Sequence, residues 1–155
     1  MRQALSSPSK LEADEIFARL TQAYAGRLVT RDTQRDESYV VPVNFVLLAR
    51  SLYFYTEPGR KLQALQGWPM NVALEIDHLD EFVAWSVLAV GDYQPVTNVR
   101  ERWMATAGLL AKYRQQAVAP IWGRAKGHWP TFLQGLSQAQ MGAIRLRRIS
   151  GRQWP

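Results

Sequence analysis

The chain has 155 residues and a hydrophobic content of 47%, which predicts a single folded domain over residues 1–155 and excludes a disordered protein. It contains no cysteine, so disulfides, thiolate metal sites and cysteine nucleophiles are excluded. The apolar runs are too short to span a bilayer, and the first ten residues lack the apolar core of a signal peptide. We therefore expect a cytoplasmic protein that does not enter a membrane.

The net charge of +6 is unevenly distributed along the chain. Residues 1–96 carry 9 Lys/Arg and 12 Asp/Glu, whereas residues 97–155 carry 10 Lys/Arg and one acid, Glu101. Nucleic-acid binding, an anion site and an acidic partner surface all fit this segregation. Arginine outnumbers lysine 15 to 4, and its rigid guanidinium suits carboxylates and phosphates. Charge alone does not choose among these partners.

A helix and a β-hairpin are the first predicted elements. Ser9 and Glu12 have the spacing of a capping box, and apolar residues follow at helical intervals. We expect this helix to span residues 9–25 and to stop at Gly26. The segments "RLVTRD" and "YVVPVNFVLLA", joined by the polar turn "TQRDES", predict the hairpin. Pro42 cannot donate a hydrogen bond to a neighbouring strand, so its strand has an edge or a bulge there, and a bulge exposes backbone amides to a ligand.

Three more strands follow in the middle of the chain. They are "RSLYFYT", "MNVALEID" and "FVAWSVLAVGDYQPV", and the short helix "PGRKLQALQG" lies between the first two. The barrel core therefore covers residues 26–96. Five strands in about 70 residues, mostly joined by short turns, predict an antiparallel barrel.

The last third of the chain predicts a long helix and a final strand. Asn98 caps the helix, and one apolar face is expected to pack as core; that face consists of Val99, Trp103, Ala107 and Leu110. The segment "PIWGRAKGHWP" is interrupted by proline and glycine and is expected to be irregular, and "TFLQGLSQAQM" predicts a short helix. The alternating segment "AIRLRRIS" predicts a strand over about residues 142–149.

The stretch "YFYTEPGRKLQALQGWP", residues 53 to 69, carries the strongest chemical signal. A strand ends at Thr56, a Pro-Gly turn follows, and Arg60 and Lys61 open the short helix. A helix N-terminus offers free amides and partial positive charge, and the two cations add charge-assisted hydrogen bonds. Two hypotheses fit this pattern: an exposed turn with a solvated basic pair, and a site for a phosphate or another anion.

Other candidate residues give weaker signals. Trp85 and Ser86 point to opposite faces of one strand, so one can face the core while the other faces a pocket. His78 lies in an acidic turn and His128 in the irregular segment, where a solvated or structural histidine is commoner than a metal ligand. No Walker loop, dinucleotide-binding glycine motif or nucleophile elbow is present. The sequence therefore predicts no metal site and identifies no catalytic residue.

Taken in order, these segments resemble the flavin-binding split-barrel family that includes pyridoxamine 5′-phosphate oxidase and the nitroimidazole-resistance proteins. The matching run is "GRLVT", "YVVPVNF", "LYFYTEPGRKLQAL", "NVALEID" and "WSVLAVGDYQPV". It covers residues 26 to 96, and "IRLRRISGR" is similar to the family's C-terminal strand, although that part is weakly specific. The turn Gly59-Arg60-Lys61 after an aromatic strand that ends in Thr is its most specific part.

The resemblance implies a mainly β fold with flanking helices (α+β), namely a six-stranded antiparallel split β-barrel of the FMN-binding type. It further implies a homodimer that holds FMN, a nucleotide cofactor, at the subunit interface. Arg60 and Lys61, with Thr56 nearby, would bind the phosphate. The backbone of Pro42, Val43 and Asn44 would contact the isoalloxazine ring, and Ser86 and Trp85 would approach the ribityl-phosphate end or the ring edge. Tyr55 and Gly59 complete the predicted cofactor-binding set.

The resemblance implies a flavin-dependent oxidoreductase that acts on an unassigned small molecule. The segment "IRLRRISGR" lacks the histidine of true pyridoxamine phosphate oxidases, so we do not expect that substrate. Tyr55 stands where nitroimidazole-resistance proteins commonly have histidine, so that activity is not expected either. The alternatives are a module that binds flavin, deazaflavin or haem without turnover, and a nucleic-acid binder that uses its basic C-terminal part with Trp103, Trp122 and Trp129.

Overall fold

The computed structural model describes residues 7–115 and 139–155. The predicted irregular segment, most of the predicted helix "TFLQGLSQAQM" and the residues Trp122, His128 and Trp129 lie outside these ranges. The helices are α1 (Ala13–Gln22), α2 (Arg60–Gly67) and α3 (Val99–Gln115). The strands are β1 (Ser9–Lys10), β2 (Ala25–Asp32), β3 (Glu37–Asn44), β4 (Val46–Leu48), β5 (Ser51–Thr56), β6 (Val72–Leu79), β7 (Ala84–Pro95) and β8 (Gln140–Trp154).

The strands form one antiparallel sheet whose two ends meet. Their order is β3-β2-β6-β7-β8-β5-β4, and β1 pairs with β8. β3 and β4 stand at opposite ends of this order, yet only Phe45 separates them along the chain. Two strands joined by one residue must lie close together, so the sheet curls into a barrel. The predicted antiparallel split barrel is confirmed, and its split lies at Phe45.

The number of strands differs from the predicted six. The segment "YVVPVNFVLLA" is divided into β3 and β4 because the chain passes from one end of the sheet to the other at Phe45. The dipeptide Ser9–Lys10 adds a short strand beside β8. β8 is also longer than the predicted strand over residues 142–149, because Gln140–Trp154 pairs in turn with β5, β7 and β1.

Two apolar clusters hold the barrel and its helices together. The larger fills the barrel and includes the fully buried side chains of Leu20, Leu28, Phe45, Leu52, Phe54, Leu65, Leu74, Val87 and Ile144. The smaller lies under α3 and consists of Val46, Tyr53, Val96, Ala105, Leu109, Met141 and Ala143. Burial of apolar surface stabilises such clusters by about 25 cal/mol per Å². The packed barrel therefore gives a rigid support to the loops and edges around it.

α1 begins later than the predicted residue 9. Glu12 precedes its first turn, and the backbone amide of Glu12 donates to the Glu15 carboxylate at 2.8 Å. Ser9 pairs with Gln153 of β8 instead of capping the helix. The same spacing of capping residues occurs twice in the sequence, and strand pairing decides between the two positions.

α3 is rotated relative to the predicted orientation. Its cap is confirmed, since the amide of Glu101 donates to Asn98 Oδ1 at 3.0 Å. The face predicted to be core is exposed, and Trp103 retains 71% of its accessible surface; the correction applies to Val99, Trp103, Ala107 and Leu110. Ala105 and Leu109 face the barrel instead. Because α3 carries apolar residues on two faces, periodicity alone cannot identify the buried one.

None of the helices within the described ranges is both long and apolar enough to cross a membrane.

Candidate functional site

The turn between β5 and α2 connects the end of a barrel strand to a short helix. Thr56 is buried where β5 ends, and its hydroxyl donates to the Glu57 carbonyl at 3.4 Å. Gly59 then adopts φ 150°, a region that side-chain-bearing residues avoid, and α2 starts at the next residue. No side chain caps α2, and its first turn contains no acid. Its first amides are therefore available to an anion.

Lys61 places a positive charge at this turn with little solvation. Its side chain is half-buried, and Nζ donates to the carbonyl of Tyr55 at 3.4 Å. Burial lowers the pKa of Lys61 below its ordinary value, and the attraction of Glu57 opposes this only in part. Among the described residues no carboxylate lies within ion-pair distance of Lys61. An anion at this turn would relieve its desolvation, since a buried charge is favourable only when it is paired.

Arg60 has a different environment from its neighbour. Its Nε donates to Asp32 Oδ2 at 2.8 Å, its Nη2 forms an ion pair with Glu37, and its guanidinium lies 4.8 Å from the ring centre of Tyr39. The hydrogen bond from Arg60 holds the pKa of Asp32 below its ordinary value. Two carboxylates therefore bind Arg60, which joins α2 to the β2–β3 hairpin. The binding of a phosphate by Arg60 stays a prediction.

These contacts bring the α2 turn to the edge of β3. β3 ends the sheet order, so within the described sheet it has a strand neighbour on one side only. Pro42 is exposed on this edge strand, as predicted, and β3 runs without a bulge through it. Val43 and Asn44 are buried, and Asn44 Nδ2 donates to the Tyr24 carbonyl at 3.0 Å. From Tyr39 to Asn44 the strand spans about 17 Å.

The other predicted site residues lie apart from this turn. The guanidinium carbon of Arg19 in α1 lies 4.5 Å from the ring centre of Trp85. The rings of Trp85 and His78 are stacked, with their centres 6.0 Å apart. Ser86 faces the opposite side of β7 and pairs with Asp77 and with β8. No hydrogen bond, ion pair or ring contact of the described residues connects Trp85 or Ser86 to α2. Tyr55 is half-buried, and its hydroxyl shares a hydrogen bond with Thr106 of α3.

Several residues of the site were missed by sequence reasoning. Asp32 and Tyr39 form the contacts of Arg60, but they lie in a hairpin whose composition predicts only a turn. Lys112 of α3 donates to the Phe45 carbonyl at 2.9 Å, at the split of the barrel, and burial lowers its pKa to about 8. These contacts join residues far apart in sequence, and no local pattern marks such pairs.

A second polar cluster lies under the N-terminal end of α3. Arg145 of β8 donates to Tyr53 Oη at 3.0 Å and to Glu101 Oε1 at 2.5 Å. The hydrogen bond from Arg145 holds the pKa of Glu101 below its ordinary value, and burial raises that of Tyr53. A shallow pocket beside this cluster is lined by Leu48, Ala49 and Met104 among others. Because Glu101 neutralises Arg145, this cluster is less suited to an anion than the α2 turn.

Comparison with known proteins identifies the family. The pyridoxamine 5′-phosphate oxidase family matches residues 12–153. No curated protein matches the chain.

Solved structures share the fold. A FAD-binding protein from Mesorhizobium loti is 21% identical, with a TM-score of 0.73 over 97% of this chain and 100% of that chain. A FAD-binding protein from Mycobacterium smegmatis is 23% identical, with a TM-score of 0.61 over 96% of this chain and 98% of that chain. A heme-binding protein from the same organism is 16% identical, with a TM-score of 0.62, and the match covers 91% of this chain and 54% of that chain. The barrel, the order of its strands and the match over residues 12–153 together show that the chain belongs to the pyridoxamine 5′-phosphate oxidase family.

Proposed function

We propose that the protein binds FMN and is a flavin-dependent oxidoreductase of a small molecule. The proposal depends on one observation: the N-terminus of α2 has no side-chain cap, Lys61 there has no ion pair among the described residues, and β3 beside it is an edge strand of the described sheet. A phosphate at the turn would leave the rest of the cofactor free to extend along β3 towards Asn44. Membership of the family and the likeness to two FAD-binding proteins, whose cofactor contains the FMN unit, support this assignment.

The residues of this chain would bind and orient the cofactor. Lys61 and the first amides of α2 would hold the phosphate, and Thr56 and Gly59 would shape the turn around it. The edge of β3 from Pro42 to Asn44 would direct backbone groups at the ring. When bound, the isoalloxazine supplies the two-electron chemistry, and the protein positions it and sets its electrostatic surroundings. Tyr55, Trp85 and Ser86 remain proposed contacts at its periphery.

The proposal includes a cytoplasmic homodimer with the cofactor between the subunits. Each chain offers one edge strand beside the turn, so one side of a bound ring would be open to solvent without a second subunit. Ser86 lies on the outer face of β7, where a partner could approach it. Small-molecule substrates would then reach the ring from the groove between the subunits.

Reconstitution of the apoprotein tests the cofactor assignment. Equal samples are titrated with FMN, a deazaflavin and haem, and binding is followed by visible difference spectra. We expect saturation by FMN at one equivalent per chain and turnover with a nicotinamide or another reductant. Saturation by haem alone would indicate that the protein binds haem and not FMN. The likeness to a heme-binding protein favours this alternative. FMN binding without turnover across donors would instead indicate a carrier or sensor.

The nucleic-acid alternative has one new observation in its favour. Trp103 was expected in the core, but it is exposed on a helix that also carries Arg100. A nucleic-acid complex would weaken steeply as salt rises, because counterions are released on binding. We expect no such binding; salt-sensitive association with single-stranded DNA or RNA would revive this alternative.

A further inference from the structure

Lys112 is a half-buried cation at the split of the barrel. Its Nζ donates to the carbonyl of Phe45 at 2.9 Å and lies 4.3 Å from the ring centre of the same residue. The carbonyl and the ring replace only part of the hydration that the ammonium group loses, so burial lowers the pKa of Lys112 to about 8. The side chain is therefore still charged at neutral pH.

No carboxylate within the described part of the chain neutralises this charge. Lys112 forms no ion pair with the residues that the structure describes, and the residues outside those ranges contain no Asp or Glu. Burial is the one cause of its lowered pKa, so no charged side chain within residues 7–115 and 139–155 acts strongly on it. A buried cation is favourable only when it is paired. An anionic group from outside the chain would complete the environment of Lys112.

Hydrogen bonds hold Lys112 beside the end of β3. The next residue of α3, Tyr113, donates to the Tyr24 carbonyl at 2.7 Å, and Asn44 at the end of β3 donates to the same carbonyl at 3.0 Å. Phe45, which accepts from Lys112, directly follows Asn44. The ammonium group therefore lies one residue beyond the strand edge along which the proposed cofactor extends.

Lys61 and Lys112 stand at the two ends of this edge. Lys61 belongs to the α2 turn, which Arg60 joins to the start of β3 through its ion pair with Glu37. Lys112 lies at the other end of β3, beyond Asn44. Both lysines are half-buried, and neither has a carboxylate partner among the described residues. A ligand that extends along β3 therefore meets one unneutralised cation at each end.

We propose that Lys112 stabilises the negative charge that the isoalloxazine ring gains on reduction. This rests on the proposed function, in which the phosphate lies at the α2 turn and the ring lies towards Asn44. Two electrons and one proton from the reductant convert the neutral oxidised ring into an anion, and a second proton from solvent would make it neutral again. A charge near the ring is one of the means by which a protein sets the reactivity of a flavin. Lys112 favours the anionic reduced ring, whereas Lys61 favours the phosphate, which is present in both redox forms.

The midpoint potential of bound FMN at pH 7, measured by reductive titration against a reference dye, tests this proposal. Lys112→Gln keeps an amide donor for the Phe45 carbonyl and removes the charge. We expect it to weaken the binding of reduced FMN relative to oxidised FMN by about tenfold, which lowers the midpoint potential by about 30 mV. The dissociation constant of oxidised FMN should not change, because the oxidised ring is neutral.

Three further variants serve as controls. Lys112→Arg keeps the charge and should restore most of the wild-type potential. Lys61→Gln, at the other end of β3, should raise the dissociation constant of oxidised FMN and leave the potential unchanged, because the phosphate has the same charge in both redox forms. Lys10→Gln replaces an exposed lysine and should change neither quantity. Circular dichroism shows whether each variant is folded, and Lys112→Met carries the test if Lys112→Gln does not fold.

The outcomes distinguish this inference from the proposed function. A wild-type potential in Lys112→Gln, or an equal fall in Lys61→Gln, would overturn the inference and leave the flavin assignment intact. An equal fall in Lys112→Gln and Lys112→Arg would also overturn it, because charge would then not be the cause. A wild type that binds no FMN would remove the proposed function, and this inference with it.

Discussion

α2 and α3 differ in how their sequence determines their role. α2 has one apolar face, which is buried through Leu62, Ala64 and Leu65, so its N-terminus is fixed where β5 ends. α3 has apolar residues on both faces, and only the face with Ala105 and Leu109 packs on the barrel. A one-sided helix is oriented by its own pattern, whereas a two-sided helix is oriented by the surfaces available to it. The orientation of α2, at the proposed cofactor site, was therefore predictable, whereas for α3 the start was predictable and the buried face was not.

The largest expected effect is on the free energy of unfolding, and it distinguishes the buried face of α3 from the exposed face. Leu109→Ala removes a side chain that is 2% exposed, whereas its neighbour Leu110 is 41% exposed. Truncating a buried leucine costs about 2–5 kcal/mol through lost burial and the cavity left behind, so Leu109→Ala should lower the free energy of unfolding by ~3 kcal/mol. Leu110→Ala should change it by less than ~1 kcal/mol. Urea unfolding of both variants checks this, and equal losses would contradict the observed orientation.

The next effect is on FMN affinity, and it distinguishes Lys61 from Arg60 at the α2 turn. Lys61→Met removes the cation that has no carboxylate partner among the described residues, so the dissociation constant of FMN should rise by about 10–100-fold. The free energy of unfolding of Lys61→Met should not fall, because the substitution removes a poorly solvated charge. Fluorescence titration measures the affinity, and Lys10→Met provides the same substitution at an exposed lysine.

Arg60→Met should mainly affect stability instead. It removes an ion pair from Glu37 and the shortest ion pair of Asp32, which keeps Arg35 at 4.0 Å and two backbone hydrogen bonds. The midpoint of urea unfolding should therefore fall. If Lys61→Met binds FMN as tightly as the wild type, the assignment of the phosphate site is wrong, whatever the stability of Arg60→Met.

A smaller effect is a pH dependence from Lys112. Its pKa is about 8 in the folded protein and 10.5 in the unfolded chain, so between these values the unfolded chain binds more protons. The free energy of unfolding therefore rises with pH between about 8 and 10.5. Below pH 8 Lys112 contributes no such gain. Relative to Lys112→Met, the wild type should gain about 2 kcal/mol in free energy of unfolding between pH 7.5 and 10. A constant difference across this range would show that Lys112 is solvated.

The smallest effect concerns the start of α3. Asn98→Ala removes the acceptor of the Glu101 amide and should lower the free energy of unfolding by ~1 kcal/mol. Asn98→Asp should retain the cap and the wild-type stability. If Asn98→Ala is indistinguishable from Asn98→Asp by urea unfolding, the cap does not stabilise α3.

Most strands and the position of the α2 turn were predictable from local patterns. Alternating residues, the polar turn between β2 and β3 and the Thr-Glu-Pro-Gly sequence before Arg60 all determine structure over a few residues. The division of one apolar run at Phe45 was not predictable, because it depends on the closure of the whole sheet. The same holds for the ion pair of Arg60 with Asp32, which joins residues 28 positions apart.

The visible absorption spectrum of the freshly purified protein, with the released chromophore identified by mass, tests the central claim most directly. A flavin band and the mass of FMN are the predicted result. A Soret band, or a colourless protein that also does not take up added FMN, would contradict the claim and leave residues 53 to 69 as a structural turn.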